Sequence, residues 1–200
     1  MYRPAHFAED RVEVLHELIR RRPLATLVAR HGSSIDADHV PMLIDATAGP
    51  HGTLRGHVAR ANSLWRAVAE GSEVLAIFQG DSHYVSPAWY PSKQVDGKVV
   101  PTWNYVVVHA RGPIRYRHEP AWLHALVTTL TDTHETPRPE RWRVSDAPPD
   151  YVAAMLRAIV GFEIPLAGLT GKWKMSQNRS AADREGVAAG LTRESSDVRR

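Results

Sequence analysis

The chain of 200 residues contains no cysteine. That excludes a disulfide framework and any cysteine-ligated metal, and it fits a reducing, cytoplasmic setting. It also lacks a long apolar run. Nothing approaches the roughly 20 residues a membrane-spanning helix needs, and the N-terminus MYRPAHFAEDRVEVLHEL has no apolar signal-peptide core. There is little charge of one sign: 25 basic and 22 acidic residues leave a formal +3, too small to argue for nucleic-acid binding by itself. The sharpest basic run, IRRRP at 19–23, reads first as a solvated helix end. Nucleotide-binding loops of the G-x-x-x-x-G-K-[ST] and G-x-G-x-x-G types are missing, as is HExxH among the 11 histidines. GDSHY at 80–84 is not G-x-S-x-G, and no acid/base pair can be nominated.

What is present reads as one α+β domain. Val12, Leu15, Leu18 and Ile19 recur at helical spacing, so 8–22 is expected to be an amphipathic helix stopped by Pro23. LATLVAR (24–30), HVPMLID (39–45) and TLRGHVA (53–59) read as strands separated by turns at HGSSIDA and TAGPHG. A helix SLWRAVAE capped by Asn62 or Ser63 precedes a strand EVLAIFQG (73–80). Then come an irregular aromatic loop HYVSPAWYPSK, a long strand at 103–117 bent near Gly112, helices at EPAWLHALVTTLTDTHE and DYVAAMLRAIV, and one or two strands in GFEIPLAGLTGKWKM. The expected architecture is mainly antiparallel and barrel-like, since closure removes exposed edges. One domain over 1–191 is expected, with a flexible tail at 192–200.

Three stretches concentrate binding chemistry. RGHVARANS (55–63) puts His57, Arg60, Asn62 and Ser63 at a strand-to-helix corner, where helix N–H groups and an arginine suit an anion. The alternative is an ordinary capped helix with an exposed arginine. GKWKMSQNRS (171–180), if extended, turns Lys172, Lys174 and Ser176 to one side, suiting an anion or a polar ring; a solvated edge strand is the alternative. Trp89, Tyr90, Trp103 and Tyr105, near Ser86, Thr102 and Asn104, suit a planar heterocycle, an oligomer interface or core packing.

Taken together, MYRPAHF, HVP at 39, GHVARAN at 56, YVSPAWYPSK at 84, VPTWNY at 100, IVGFEI at 159 and GKWKMSQNR at 171 resemble the PaiB-type negative transcriptional regulators of the flavin-binding split-barrel superfamily. The resemblance covers roughly residues 1–191 and departs at Ser63, where a proline is expected. It implies an FMN-binding split β-barrel with peripheral helices, dimerising so that FMN lies at the homodimer interface. It places the FMN phosphate at Arg60 and Asn62 with His57 close by, and the ribityl chain or ring edge near His39. Polar contacts would come from Lys174, Ser176, Gln177 and Arg179, and the ring or interface environment from Trp103 and Tyr105. DNA, bound directly or indirectly, is the implied partner. Its only visible footprint is Arg20, Arg21 and Arg22, and no helix-turn-helix stands out. A flavin-dependent oxidoreductase is the alternative, because a flavin carries the chemistry without a catalytic side-chain pair. A haem or small-ligand binder ranks third.

Overall fold

The structure is a computed structural model and describes residues 1–197. In chain order its elements are β1 (Ala8–Glu9), α1 (Val12–Arg21), β2 (Leu24–His31), β3 (Ser34–Pro41), β4 (Leu43–Asp45), β5 (Thr53–Ala59), α2 (Leu64–Ala67) and β6 (Glu73–Val85). There follow β7 (Thr102–Pro113), β8 (Arg115–Arg117), α3 (Pro120–Glu135), α4 (Pro149–Arg157), β9 (Ile159–Pro165), β10 (Gly168–Lys174) and α5 (Ala181–Asp197). The chain divides into two compact units, and β6 and β7 each carry residues of both. Among the described residues no helix is long and apolar enough to cross a membrane.

The larger unit comprises Arg11–Phe78 and His109–Leu169. Its four-stranded sheet runs β4-β5-β9-β8, with its neighbouring strands antiparallel. β5 and β9 are paired along their whole length, from Thr53 opposite Pro165 to Ala59 opposite Ile159. Alternation along these strands turns Leu54, Val58, Val160, Phe162 and Ile164 into the core. Gly56 lies opposite Phe162, and a Cβ there would stand 2.7 Å from the ring. In the same unit β2 forms a hairpin with β3 and also pairs with β6. The hairpin is longer than the sequence suggests: HGSSIDA is not all turn, because only Gly32 and Ser33 turn, with Gly32 at φ 56°. Ser34–Ala37 continue the strand. The expected strand at 39–45 is instead two, broken at the buried Met42, whose N–H donates to the Pro23 carbonyl. α1 starts at Val12, four residues later than expected, because Ala8–Glu9 pair with β10 as β1.

The smaller unit comprises Met1–Asp10, Gln79–Val108 and the described residues from Thr170 on. Within it the strand order is β1-β10-β7-β6. Its apolar cluster is Val85, Tyr90 and Val187, with Trp89, Val99 and Leu191 packed against it. α5 supplies Val187 and Leu191 to that cluster. α5 runs through Asp197, and positions 198–200 of the tail expected at 192–200 lie outside the described residues. Ser92 ties the loop to this helix, donating its N–H at 3.1 Å and its hydroxyl at 2.9 Å to the buried carboxylate of Asp183.

Candidate functional site

In the larger unit, the corner after β5 is built by Asn62. Its Oδ1 accepts the Leu64 N–H at 2.7 Å and its amide donates to Asp38 Oδ1 on β3 at 2.7 Å. Asn62, not Ser63, therefore caps α2, whose Ser63 makes no side-chain cap bond. α2 is a single turn, shorter than SLWRAVAE predicts, because Val68 is already extended. The Tyr116 hydroxyl closes its far end, donating to the Val68 and Leu64 carbonyls at 3.0 and 3.3 Å. Burial, with the charge of Glu70 adding to it, pushes the Tyr116 phenol up to about 12, so this clamp stays protonated. A helix of one turn offers little dipole, so any anion chemistry at this corner rests on side chains.

Arg60 is held rigidly. Nε donates to the Arg157 carbonyl at 2.7 Å and Nη2 to the Ile159 carbonyl at 2.8 Å, while its backbone N–H bonds the Ala158 carbonyl at 2.7 Å. The bonds to Arg157 and Ala158 satisfy carbonyls at the end of α4, where the helix leaves them without partners, and the bond to Ile159 reaches the first residue of β9. The Trp65 indole donates to the Arg60 carbonyl at 3.0 Å and its ring lies 5.9 Å from the Arg60 guanidinium. A guanidinium has five N–H donors. The two spent on carbonyls fix its plane without exhausting its capacity for an anion.

His57 lies three residues earlier on β5, half-buried, and its buried Nδ1 has no hydrogen-bond partner among the described residues. An unpaired buried ring nitrogen costs stability unless a ligand or water completes it. Burial holds the imidazole below its ordinary 6.5. The unfolded chain takes up that proton near 6.5 and the native chain only at lower pH. Stability present above about 6.5 is therefore lost as the pH falls through the lowered value. Thermal melts at pH 7.5 and 5.5 should show a fall in Tm that is smaller in His57→Gln, with His109, lowered by burial in the same way, supplying part of the remainder. An identical fall in both proteins would contradict the assignment. His39 lies exposed on β3 opposite Thr26, next in the chain to Asp38, which Asn62 engages.

In the smaller unit, the turn after β10 carries the second set. Lys174 donates through Nζ to the Thr102 hydroxyl and, at 2.6 Å, to the Trp103 carbonyl. Burial first, then the charges of Lys172 and Arg179, hold its ammonium below the ordinary lysine value. Three cations thus crowd one another, an arrangement an anion would relieve. Lys172 is buried, donating to the Tyr2 carbonyl at 3.0 Å with the Tyr2 and Tyr105 rings 5.6 and 5.3 Å from its nitrogen. Ser176, at φ 64°, makes the turn and donates to Asn104 Oδ1 at 3.0 Å. Gln177 folds back so that Oε1 accepts the Met175 N–H at 2.7 Å. The Arg179 guanidinium stands 4.7 Å from the Tyr90 ring. Trp103 is 55% exposed and meets Tyr84 edge-on at 5.9 Å.

The structure thus places Arg60 and Asn62 at one corner, with His57 three residues back on β5, and brings Lys174, Ser176 and Arg179 together at one turn. Sequence reasoning missed Asp38, whose carboxylate fixes Asn62, and grouped Lys172 with Lys174 as an anion-suited face without carrying it into the flavin contacts. Lys172 did carry a signal, sharing the strand period of Lys174.

Comparison with known proteins fits this chemistry. Residues 1–167 match the family described as "Putative FMN-binding domain". The chain belongs to this FMN-binding family. A protein of Aspergillus fumigatus with no assigned function is 34% identical over 99% of this chain and 93% of its own length. Protease synthase and sporulation protein PAI 2 of Bacillus subtilis is 28% identical over 97% of this chain and 90% of its own. Among solved structures, the flavocytochrome Anf3 of Azotobacter vinelandii superposes with a TM-score of 0.65 at 13% identity, over 92% of this chain and 78% of that one. The PaiB resemblance read from the motifs is thereby met, and the fold is the mainly antiparallel α+β split-barrel type of flavin-binding proteins. Family and fold support a flavin cofactor.

Proposed function

We propose that this chain is a PaiB-type negative regulator of transcription that binds FMN at a homodimer interface, with the flavin as its sensing element. The observation that carries the cofactor is the corner of the larger unit, where a guanidinium locked by two carbonyls keeps further N–H donors for an anion. A bound flavin would supply reversible one- and two-electron chemistry. In this reading Arg60 pairs the phosphate, Asn62 shapes the corner and spends its remaining N–H on the ligand, and His57 completes its Nδ1 bond on binding. His39 lies toward the ribityl chain or ring edge. Lys174, Ser176, Gln177 and Arg179 give polar contacts to the flavin, and Trp103 and Tyr105 form the ring or interface environment in the dimer. The exposed Trp103 favours such a covered role, since large aromatics are enriched at interfaces.

The regulatory part rests on the relatedness to PAI 2, not on a DNA-binding surface. The Arg20–Arg22 run is a weak footprint: Glu17 accepts the Arg21 guanidinium at 2.7 Å and stands 3.8 Å from that of Arg20. Regulation through a protein partner is the form this favours. Transcript profiling of a strain lacking the gene tests it. A set of transcripts should rise, and should fall again on complementation with the wild type but not with Arg60→Ala. No derepressed transcript, together with steady oxidation of a reduced nicotinamide by the purified flavoprotein, would assign oxidoreductase activity instead.

A further inference from the structure

The larger unit contains a cavity of about 650 Å³ among the C-terminal end of α1, β4, β5 and one face of α3. Its lining includes none of the residues proposed to hold the flavin. A volume of this order accepts a small organic ligand. Met42, Leu43, Trp122 and Leu126 give it an apolar wall.

Three charged groups line it, and they are not equivalent. Asp45 is fully committed: Oδ1 accepts the Thr47 N–H and hydroxyl at 3.0 and 2.8 Å, and Oδ2 pairs with Arg55 at 3.2 Å. The Thr47 bonds first, and Arg55 in addition, hold this carboxyl below its usual value, so it stays charged. Arg55 is committed as well, donating through Nε to Glu163 at 2.9 Å, while Arg117 occupies the other Glu163 oxygen. Arg20 differs. Its carboxylate neighbour Glu17 stands 3.8 Å away and makes its close bond to Arg21 instead. One under-neutralised guanidinium beside an apolar wall selects an anion with an apolar body.

We propose that this cavity binds a small monocarboxylic acid with an aliphatic or aryl body, its carboxylate on Arg20 and its body along Met42, Leu43, Trp122 and Leu126. The inference is independent of the flavin reading. Thr129 and Thr133 limit the opposite side; each donates its hydroxyl to the helix carbonyl four residues earlier, at 2.9 and 2.7 Å, which leaves only oxygen lone pairs and methyl groups for the ligand.

Titration calorimetry of the full chain with octanoate and octan-1-ol tests the assignment. Octanoate should bind at least tenfold tighter than the alcohol. Arg20→Gln should remove that preference, Arg20→Lys should retain part of it, and Thr129→Phe, which fills the cavity, should weaken both ligands at least tenfold. Any bound flavin should keep its absorption spectrum throughout, which separates this site from the cofactor's. Equal binding of acid and alcohol by the wild type, no binding of either, or wild-type octanoate affinity in Arg20→Gln or Thr129→Phe would overturn the proposal.

Discussion

Arg60→Ala is expected to weaken FMN binding by roughly a hundredfold, about 2.7 kcal/mol, and to cost the apo-protein about 1–3 kcal/mol as well. The two losses have separate causes. The affinity loss comes from removing a charge-assisted, bidentate donor to the phosphate. The stability loss comes from the Arg157 and Ile159 carbonyls, which lose the Nε and Nη2 bonds at 2.7 and 2.8 Å. Arg60→Lys separates the effects. It keeps the charge, so part of the FMN affinity should return, but a point ammonium cannot hold both carbonyls in the arginine's planar geometry. Fluorescence titration with FMN and a denaturant series on the apo-protein read the two numbers independently. An Arg60→Ala protein with wild-type FMN affinity would move the phosphate elsewhere, and the crowded Lys172, Lys174 and Arg179 cations of the smaller unit would become its candidate site.

Gly112→Ala should be the most destabilising single-methyl substitution in the larger unit, costing about 3 kcal/mol or more. A Cβ at this position would lie 2.1 Å from the Pro165 carbonyl oxygen and 3.0 Å from its carbonyl carbon. Both atoms are backbone, and the neighbouring Ala167 N–H already donates to the Arg111 carbonyl at 2.9 Å, so the strand cannot give way without breaking that bond. Gly56→Ala is the informative comparison. Its Cβ meets the Phe162 ring at 2.7 Å, a side chain that can shift, so a smaller loss is expected. Urea unfolding of both variants checks the order. A Gly112→Ala protein as stable as the wild type would mean that the β7–β9 connection is looser than its hydrogen bonds imply.

Much of the fold was legible because its strands obey a simple rule. LATLVAR, TLRGHVA and EVLAIFQG alternate buried and exposed positions, and the structure places β2, β5 and β6 over those segments. Pro120 at the first turn and the apolar spacing of Leu123, Leu126 and Leu130 likewise located α3. Failure came where local signals and tertiary needs diverge. Ser34–Ala37 is polar and exposed, so it read as turn although β2 recruits it as a hairpin partner. α5 was invisible for a different reason. Its Gly186 and Gly190 look like helix breakers, yet they lie four residues apart on one face against Trp89. A Cβ at Gly186 would stand 2.1 Å from the Trp89 carbonyl oxygen, and one at Gly190 2.3 Å from its ring. The glycines serve close packing, and no local pattern announces that.

The candidate site was legible by residue type but not by role. His57, Arg60 and Asn62 were identifiable as a polar stretch, and the structure sets Arg60 and Asn62 at the corner after β5. What the sequence could not convey is how their hydrogen bonds are spent. Asn62 gives its carbonyl oxygen to α2 and an N–H to Asp38, 24 residues away, and Arg60 reaches carbonyls nearly 100 residues along the chain. These long-range commitments turn a presumed helix-dipole site into a side-chain site. The resemblance to PaiB-type proteins supplied the cofactor, which spacing alone left as an unidentified anion.

The most direct test of the account is the absorption spectrum of the purified chain, with any chromophore released by denaturation identified by mass. The account predicts flavin bands near their usual positions, a released mass equal to FMN, and loss of both in Arg60→Ala at equal protein concentration. A colourless protein that fails to acquire a flavin spectrum on incubation with excess FMN would contradict it.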